Sequence, residues 1–221
     1  MARIKLWDLP TRLCHWLLVT LVASAFLSEN FNAMEWHGRI GLAILGVLTF
    51  RIAWGFIGST YARFTAFVRG PASIKAYLRG EWQGVGHNPL GALSVLAILG
   101  VLAAQIGTGL FANQDSTFFG PLASLVSSGT SDGMTEIHEI LEPVIIGLVA
   151  LHLIAIAFYV RVKKDSLLKP MITGWKEGEG QNASGGGIFA LGIALALALV
   201  VVYGASGALL PPSPLPVTPS W

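Results

Sequence analysis

His138 and His152 lie on one apolar run, TEIHEILEPVIIGLVALHLIAIAFYV (Thr135–Val160), which is long enough to cross a bilayer. They are fourteen residues apart, which on an α-helix leaves them about 40° from alignment on one face and roughly 21 Å apart along the axis. An imidazole in hydrocarbon is costly unless something binds it, so each of these residues points to function. Two on one stripe, one near each membrane surface, suggest two stacked centres. The rest of the chain must then supply a second histidine at each level.

The elements that would position them are transmembrane helices. Of the 221 residues, 53% are hydrophobic and only 12% are charged, against about 25% charged in soluble domains. Apolar runs fall at Leu13–Leu27, Ile40–Ile57, Leu90–Phe111, Val144–Val160 and Ile188–Leu210, each near the roughly 20 residues that span a bilayer. The expected architecture is all-α and integral to the membrane: a four-helix bundle plus a fifth, C-terminal span. Residues 1–175 form the bundle domain, 176–187 a flexible linker containing Gln181–Gly187 (QNASGGG), 188–210 the added span, and 211–221 a Pro-rich tail. The first span opens on Cys14-His15-Trp16, which a cleaved leader would not carry in its apolar core, so it is expected to be retained despite Ala23-Ser24-Ala25.

Charge orients the spans. Of the 14 Lys and Arg, 13 fall in three segments: Arg3, Lys5 and Arg12; Arg51, Arg63, Arg69, Lys75 and Arg79; and Arg161, Lys163, Lys164, Lys169 and Lys176. The alternate loops carry Glu29, Glu35, Asp115, Asp132, Glu136, Glu139 and Glu142, with Arg39 as their one cation. The positive-inside rule places the N-terminus in the cytoplasm and the C-terminus in the periplasm of a bacterial inner membrane.

This topology sorts the histidines. The first span runs outward, so His15 sits at the inner level; the second runs inward, so His37 is outer. The fourth also runs inward, making His138 outer and His152 inner. His37 thus meets His138, and His15 meets His152. Two imidazoles from facing helices across an apolar gap are what a six-coordinate haem requires of a protein, since the porphyrin supplies the other four nitrogens. Zinc would want three or four ligands converging on one point. The lone Cys14 excludes an internal disulfide, and with no Cys-x-x-Cys-His there is neither a covalent c-type haem nor an iron–sulfur cluster.

Other residues take supporting parts. Gly38, Gly41 and Gly46 would let a helix or a flat ring approach the second span closely. Arg51, fourteen residues after His37, either forks onto a buried carboxylate or snorkels to lipid phosphate. Ser73–Tyr77 reads as a short interfacial helix. Asn88 reads as a cap with Pro89 at the first helical position, and His87 as an interfacial or capping residue rather than a ligand. Gln105 and Thr108 of the third span could face a ligand. The loop Ala112–Thr135 holds an amphipathic element around Leu122–Val126, the best outer docking surface. Pro143 should kink the fourth span. Pro211–Pro216 should be extended and polyproline-like.

The motifs WDLPTRLCHW (Trp7–Trp16), HGRIGLAILGVLTFRIAWG (His37–Gly55), GHNPLG (Gly86–Gly91) and HEILEPVIIGLVALH followed by KKDSLLKPMITG (His138–Gly174) stand in order at specific spacing. In them the chain resembles the prokaryotic di-haem cytochrome b family, which includes bacterial cytochrome b561 and the cytochrome b subunits of nickel–iron hydrogenases. The resemblance covers about residues 6 to 175. It implies four core helices, two haem b groups and axial histidines at His15, His37, His138 and His152. It also implies electron exchange between a quinone pool and a partner redox protein. The fifth span and the long Gly58–Asn88 loop depart from the four-helix members.

The expected function is a membrane electron conduit. Two haem b groups, an outer one at His37/His138 and an inner one at His15/His152, would carry electrons between quinone and a periplasmic partner such as a c-type cytochrome or an oxidoreductase subunit. Burial and the nearby arginines, Arg12 and Arg51, would tune them. Glu81, Asp8 and Glu142 are the acids placed to move a quinone's protons. The alternatives are a stand-alone quinone oxidoreductase of the cytochrome b561 type, a non-redox anchor, and a transporter; the last would need repeats and a midplane site, which the sequence lacks.

Overall fold

A computed structural model describes residues 2–82, 84, 86–114 and 118–211. In chain order the elements are β1 (Arg3–Lys5), α1 (Leu9–Asn30), α2 (Met34–Ile57), α3 (Phe64–Phe67), α4 (Pro71–Leu78), α5 (Pro89–Gly109), β2 (Asn113–Gln114) and β3 (Phe118–Phe119). A 3₁₀ turn (Ala123–Leu125), α6 (Ser128–Arg161), α7 (Leu168–Thr173), β4 (Trp175–Glu177) and α8 (Ile188–Ala205) follow. Five of these, α1, α2, α5, α6 and α8, are long and apolar enough to cross a membrane. Most of the tail, from Pro212 onward, lies outside the described residues.

The helix starts follow local chemistry. Asp8 caps α1, its Oδ1 accepting from Thr11 N at 2.7 Å, with Pro10 in the first turn. Asn88 caps α5 in the same way through Gly91 N, followed by Pro89. These pre-set the chain where four amides have no helical partner. The expected interfacial helix is α4.

The fourth span differs from expectation at its start. The run read as this helix begins at Thr135, yet α6 starts at Ser128 and runs 34 residues, unbroken as a helix through Pro143. Ser127 caps it, and two turns of polar residues are held by the neighbouring loop. Ser131 donates to Phe111 O at 2.6 Å, and Thr135 Oγ1 donates to Asn113 O at 2.8 Å while accepting from Asn113 N. The helix therefore stands clear of the hydrocarbon at this acidic end. The loop expected over Ala112–Thr135 shortens to the β2–β3 ladder and the 3₁₀ turn.

Packing runs α1 on α2, α2 on α5 and α8, and α5 on α6; neither α1 nor α2 lies closely along α6. An apolar layer at mid-depth, Leu48, Leu102 and Ile145 with Val22 and Phe26, joins the four bundle helices. Ile145 is seven residues from both His138 and His152, so this layer separates the two histidine levels. The fifth span covers α2, with Val202 against Gly46 and with Ala194 and Ala198 against Phe50 and Trp54. Leu199 and Val200 on its other face are about 70% exposed, as a lipid-facing surface is.

At the basic end the polar segments knit together. β1 pairs antiparallel with β4, Ile4 opposite Lys176. Gly174, at φ +87°, brings its carbonyl to Leu6 N and Trp7 N; a Cβ there would sit 2.9 Å from Trp7 O. The Gln181–Gly187 segment, expected to be flexible, is hydrogen-bonded along its length. Tyr61 OH donates to Gln181 O, Ala183 N to Lys5 O, and Thr60 N to Ser184 O, while Ser59 bridges Gly185. The strap supplies backbone partners to β1 and to the α2–α3 turn.

Candidate functional site

The four histidines meet in two pairs. At the acidic end the rings of His37 and His138 have centroids 6.1 Å apart at 76°; at the basic end those of His15 and His152 are 6.5 Å apart at 52°. Neither pair comes from helices in close contact, and the acidic-end imidazoles face each other across open space. Two ring nitrogens each about 2 Å from one metal, with each ring centre about 1.2 Å behind its nitrogen, give roughly 6.4 Å between centres. Both pairs fall within a few tenths of an ångström of that value. Among the described residues no group of three or more His, Cys, Asp or Glu side chains gathers at one point.

Hydrogen bonds aim the acidic-end pair. His37 Nδ1 lies 3.1 Å from Ala25 O, and His138 Nδ1 lies 2.9 Å from Gln105 O. A carbonyl can only accept, so each Nδ1 carries the proton and each Nε2 keeps its lone pair for a metal. Thr108 Oγ1 donates back into its own helix and supports the same edge of His138 at 3.3 Å. Gly109 makes this possible, because a Cβ there would be 2.8 Å from His138 Cε1.

Between these helices is an open space of about 1220 Å³, continuous with the surroundings and lined by His37, His138, Gly41, Gln105, Phe118 and Glu142. Its lining is mainly apolar, as a porphyrin face requires. A Cβ at Gly41 would meet no protein atom within 4 Å, so this glycine faces open space, as expected for the approach of a flat ring. Gly38 and Gly46 instead admit Phe118 and α8. Gln105 Oε1 is buried there without a partner. The donor set and the space fit a bis-imidazole haem.

At the basic end the structure places the remaining residues differently from expectation. Arg51 is only 7% exposed, so it does not snorkel; nor does it reach a carboxylate. Its Nη1 donates to Ala62 O at 3.4 Å and its guanidinium lies over the Phe64 ring. Arg12, three residues before His15 on α1, donates to Ile172 O and Asp8 O and holds the end of α7. Of the three acids, Asp8 is committed, with Oδ1 on Thr11 N and Oδ2 on Trp54 Nε1 at 2.8 Å; Glu81 is exposed; Glu142 alone lines the acidic-end space.

His87, expected at the interface or as a cap, is wedged between the rings of Trp7 and Phe67, at 4.6 and 4.7 Å. The residue as a whole is half-buried, and its Nδ1 is sealed and unpartnered. Burial pushes the imidazole down to about 3, and the charges of Arg51, His152 and His15 add to the effect. No pattern in the sequence marked Thr11, Gly109 or the burial of His87, since each depends on a neighbour far away in the chain.

A family model described as prokaryotic cytochrome b561 matches residues 6–174. No curated protein and no solved structure matches the chain.

Proposed function

The chain belongs to the prokaryotic cytochrome b561 family of b-type, membrane electron-transfer cytochromes, and on that premise we propose that it is a di-haem conduit between quinone and a periplasmic redox protein. The observation that carries the reading is the pair of imidazole–imidazole separations, 6.1 and 6.5 Å. His37 and His138 would hold one haem b, His15 and His152 the other. A bound haem supplies a one-electron carrier whose charge change is small and delocalised.

The chain's own residues do the rest. His37 and His138 are held by carbonyls, which keeps their Nε2 atoms aimed across the gap and raises their basicity as ligands. The Leu48–Leu102–Ile145 layer keeps water out of the space between the two levels. On helices that carry His138 and His152 fourteen residues apart, the two centres lie roughly 21 Å apart along the axis. Electrons thus cross the low-dielectric slab in two steps rather than one. Glu142, which lines the acidic-end space together with Glu29 and Glu139, would exchange a proton with a quinone there. The run of basic segments puts the N-terminus and the His15/His152 level on the cytoplasmic side of the inner membrane. The partner would be a c-type cytochrome or an oxidoreductase subunit docking at the acidic end.

A pyridine haemochrome count on the purified protein tests this directly. Two haem b per chain are expected, with His152→Ala losing one and His138→Ala the other, and each variant retaining the other's spectrum. A folded wild-type chain without haem b would end the proposal, and so would a variant pair that loses the same spectral component.

A further inference from the structure

Arg51 is buried at the basic end of α2, and a guanidinium so placed persists only where its charge and its five donors are met. Among the described residues it forms no ion pair, and its one hydrogen bond, to Ala62 O, is 3.4 Å long. Asp8 and Cys14 of α1 lie within electrostatic reach. Asp8, however, is turned to Thr11 N and Trp54 Nε1, one on each oxygen, and makes no ion pair with Arg51. The forked face of the Arg51 guanidinium therefore meets no carboxylate within ion-pair distance among the described residues, and a ligand's carboxylate would complete it.

Two further polar atoms are buried without partners at the same end of the bundle. Thr11, between Asp8 and Cys14 on the helix, is 5% exposed, and its Oγ1 is buried without a partner; so is His87 Nδ1. Their depth is informative. Arg51 follows His37 by fourteen residues as His152 follows His138, and α2 and α6 run the same way, so Arg51 stands level with His152. Thr11 precedes His15 by four residues, on the same face and about 6 Å nearer the basic end. The unmet donors therefore lie at and just beyond the His15/His152 pair, on its basic-end side. A haem carries two propionates on one edge. A forked guanidinium matches a carboxylate by two parallel bonds, and a hydroxyl and a neutral imidazole can each add one.

We propose that Arg51, the Thr11 hydroxyl and the His87 ring form a carboxylate seat that holds the propionates of the haem bound at His15 and His152. The seat rests on the two-haem reading above. It sets the rotation of that haem about its histidine axis, with the propionate edge toward the basic end. It also offsets the propionate charge, so that the added electron is not opposed by an unmatched anion. Arg51, Thr11 and His87 are positioning residues in this account.

Spectropotentiometric titration of the holoprotein tests it, with haem per chain and bound phospholipid phosphorus measured on the same samples. Wild type must first give two haems; any other count removes the two-haem reading before a variant is made. The basic-end component is the one missing from His152→Ala. Arg51→Leu is expected to lower the reduction equilibrium constant of that haem at least tenfold, which is 59 mV for one electron, or to lose it. The other haem stays within a third of that shift. Arg51→Lys, which keeps the charge without the fork, falls between. Thr11→Val keeps the proposal testable should Arg51→Leu fail to fold. Its hydroxyl has no protein partner, so the fold should hold while the same haem shifts. Unchanged potentials in both variants, equal shifts of both haems, or loss of phospholipid phosphorus with potentials unmoved would overturn the seat; the last outcome would make a lipid phosphate the occupant.

Discussion

Gly109→Ala places a methyl group against the ring of His138. Built on the present backbone, the new Cβ lies 2.8 Å from Cε1 and 3.1 Å from Nδ1, whereas ordinary contact begins near 3.4 Å, so the ring must retreat about 0.6 Å. It has little freedom to do so, because Nδ1 donates to Gln105 O at 2.9 Å and Thr108 packs the same edge. Overpacking of this kind costs about 1–3 kcal/mol, and the gain of alanine over glycine in a helix returns about 1 kcal/mol of it. A net loss of about 0–2 kcal/mol at the ligand weakens haem retention by up to about 30-fold. The assay is the haem-to-chain ratio through successive detergent washes, together with the reduced-minus-oxidised spectrum. Gly109→Ala should shed the acidic-end component first and leave that of His15/His152. Gly107→Ala, where a Cβ meets nothing within 4 Å, is the control and should retain both. Equal retention by the two variants, or preferential loss of the basic-end haem, would show that the Gly109–His138 contact does not govern the site.

Gly41→Ala asks whether the acidic-end space is filled by a ligand: its Cβ touches no protein atom within 4 Å, so folding should be unaffected while the acidic-end haem spectrum or potential shifts. An unchanged spectrum would put the ring elsewhere. Asp8→Ala removes the α1 cap, about 1 kcal/mol, and strands the buried Trp54 Nε1, about 1–3 kcal/mol more; thermal unfolding in detergent should register the sum. His87 gives a pH dependence of known sign. It is held at about 3 in the fold against about 6.5 when unfolded, so below pH 6.5 the unfolded chain binds the extra proton. Stability therefore falls on acidification, by about 2 kcal/mol between pH 7 and 5, and His87→Phe should flatten that slope. Identical acid sensitivity in the variant would remove His87 as its cause.

The membrane class, the five spans and the assignment of four histidines to two levels were legible in the chain because each rests on a one-dimensional quantity. Apolar length sets the spans, and a fourteen-residue spacing sets a depth difference whatever the helix packs against. Asn88 and Pro89 were legible for the same reason, since a cap is decided within four residues. The start of α6 was not: the run read from the sequence begins at Thr135, but Ser131 and Thr135, bonded to Phe111 and Asn113, hold two further turns back to Ser128.

What the sequence determined by itself, then, is which residue types stand at which depth. Only the tertiary structure decided what they face. It turned Arg12 toward α7 and Asp8 toward Trp54. It drew Gln181–Gly187 into the basic-end layer, and enclosed His87 between Trp7 and Phe67. Orientation about a helix axis and the partners of a buried polar atom are properties of pairs of segments distant in the chain. No local pattern encodes them, because the energy that selects them appears only when both segments are in place.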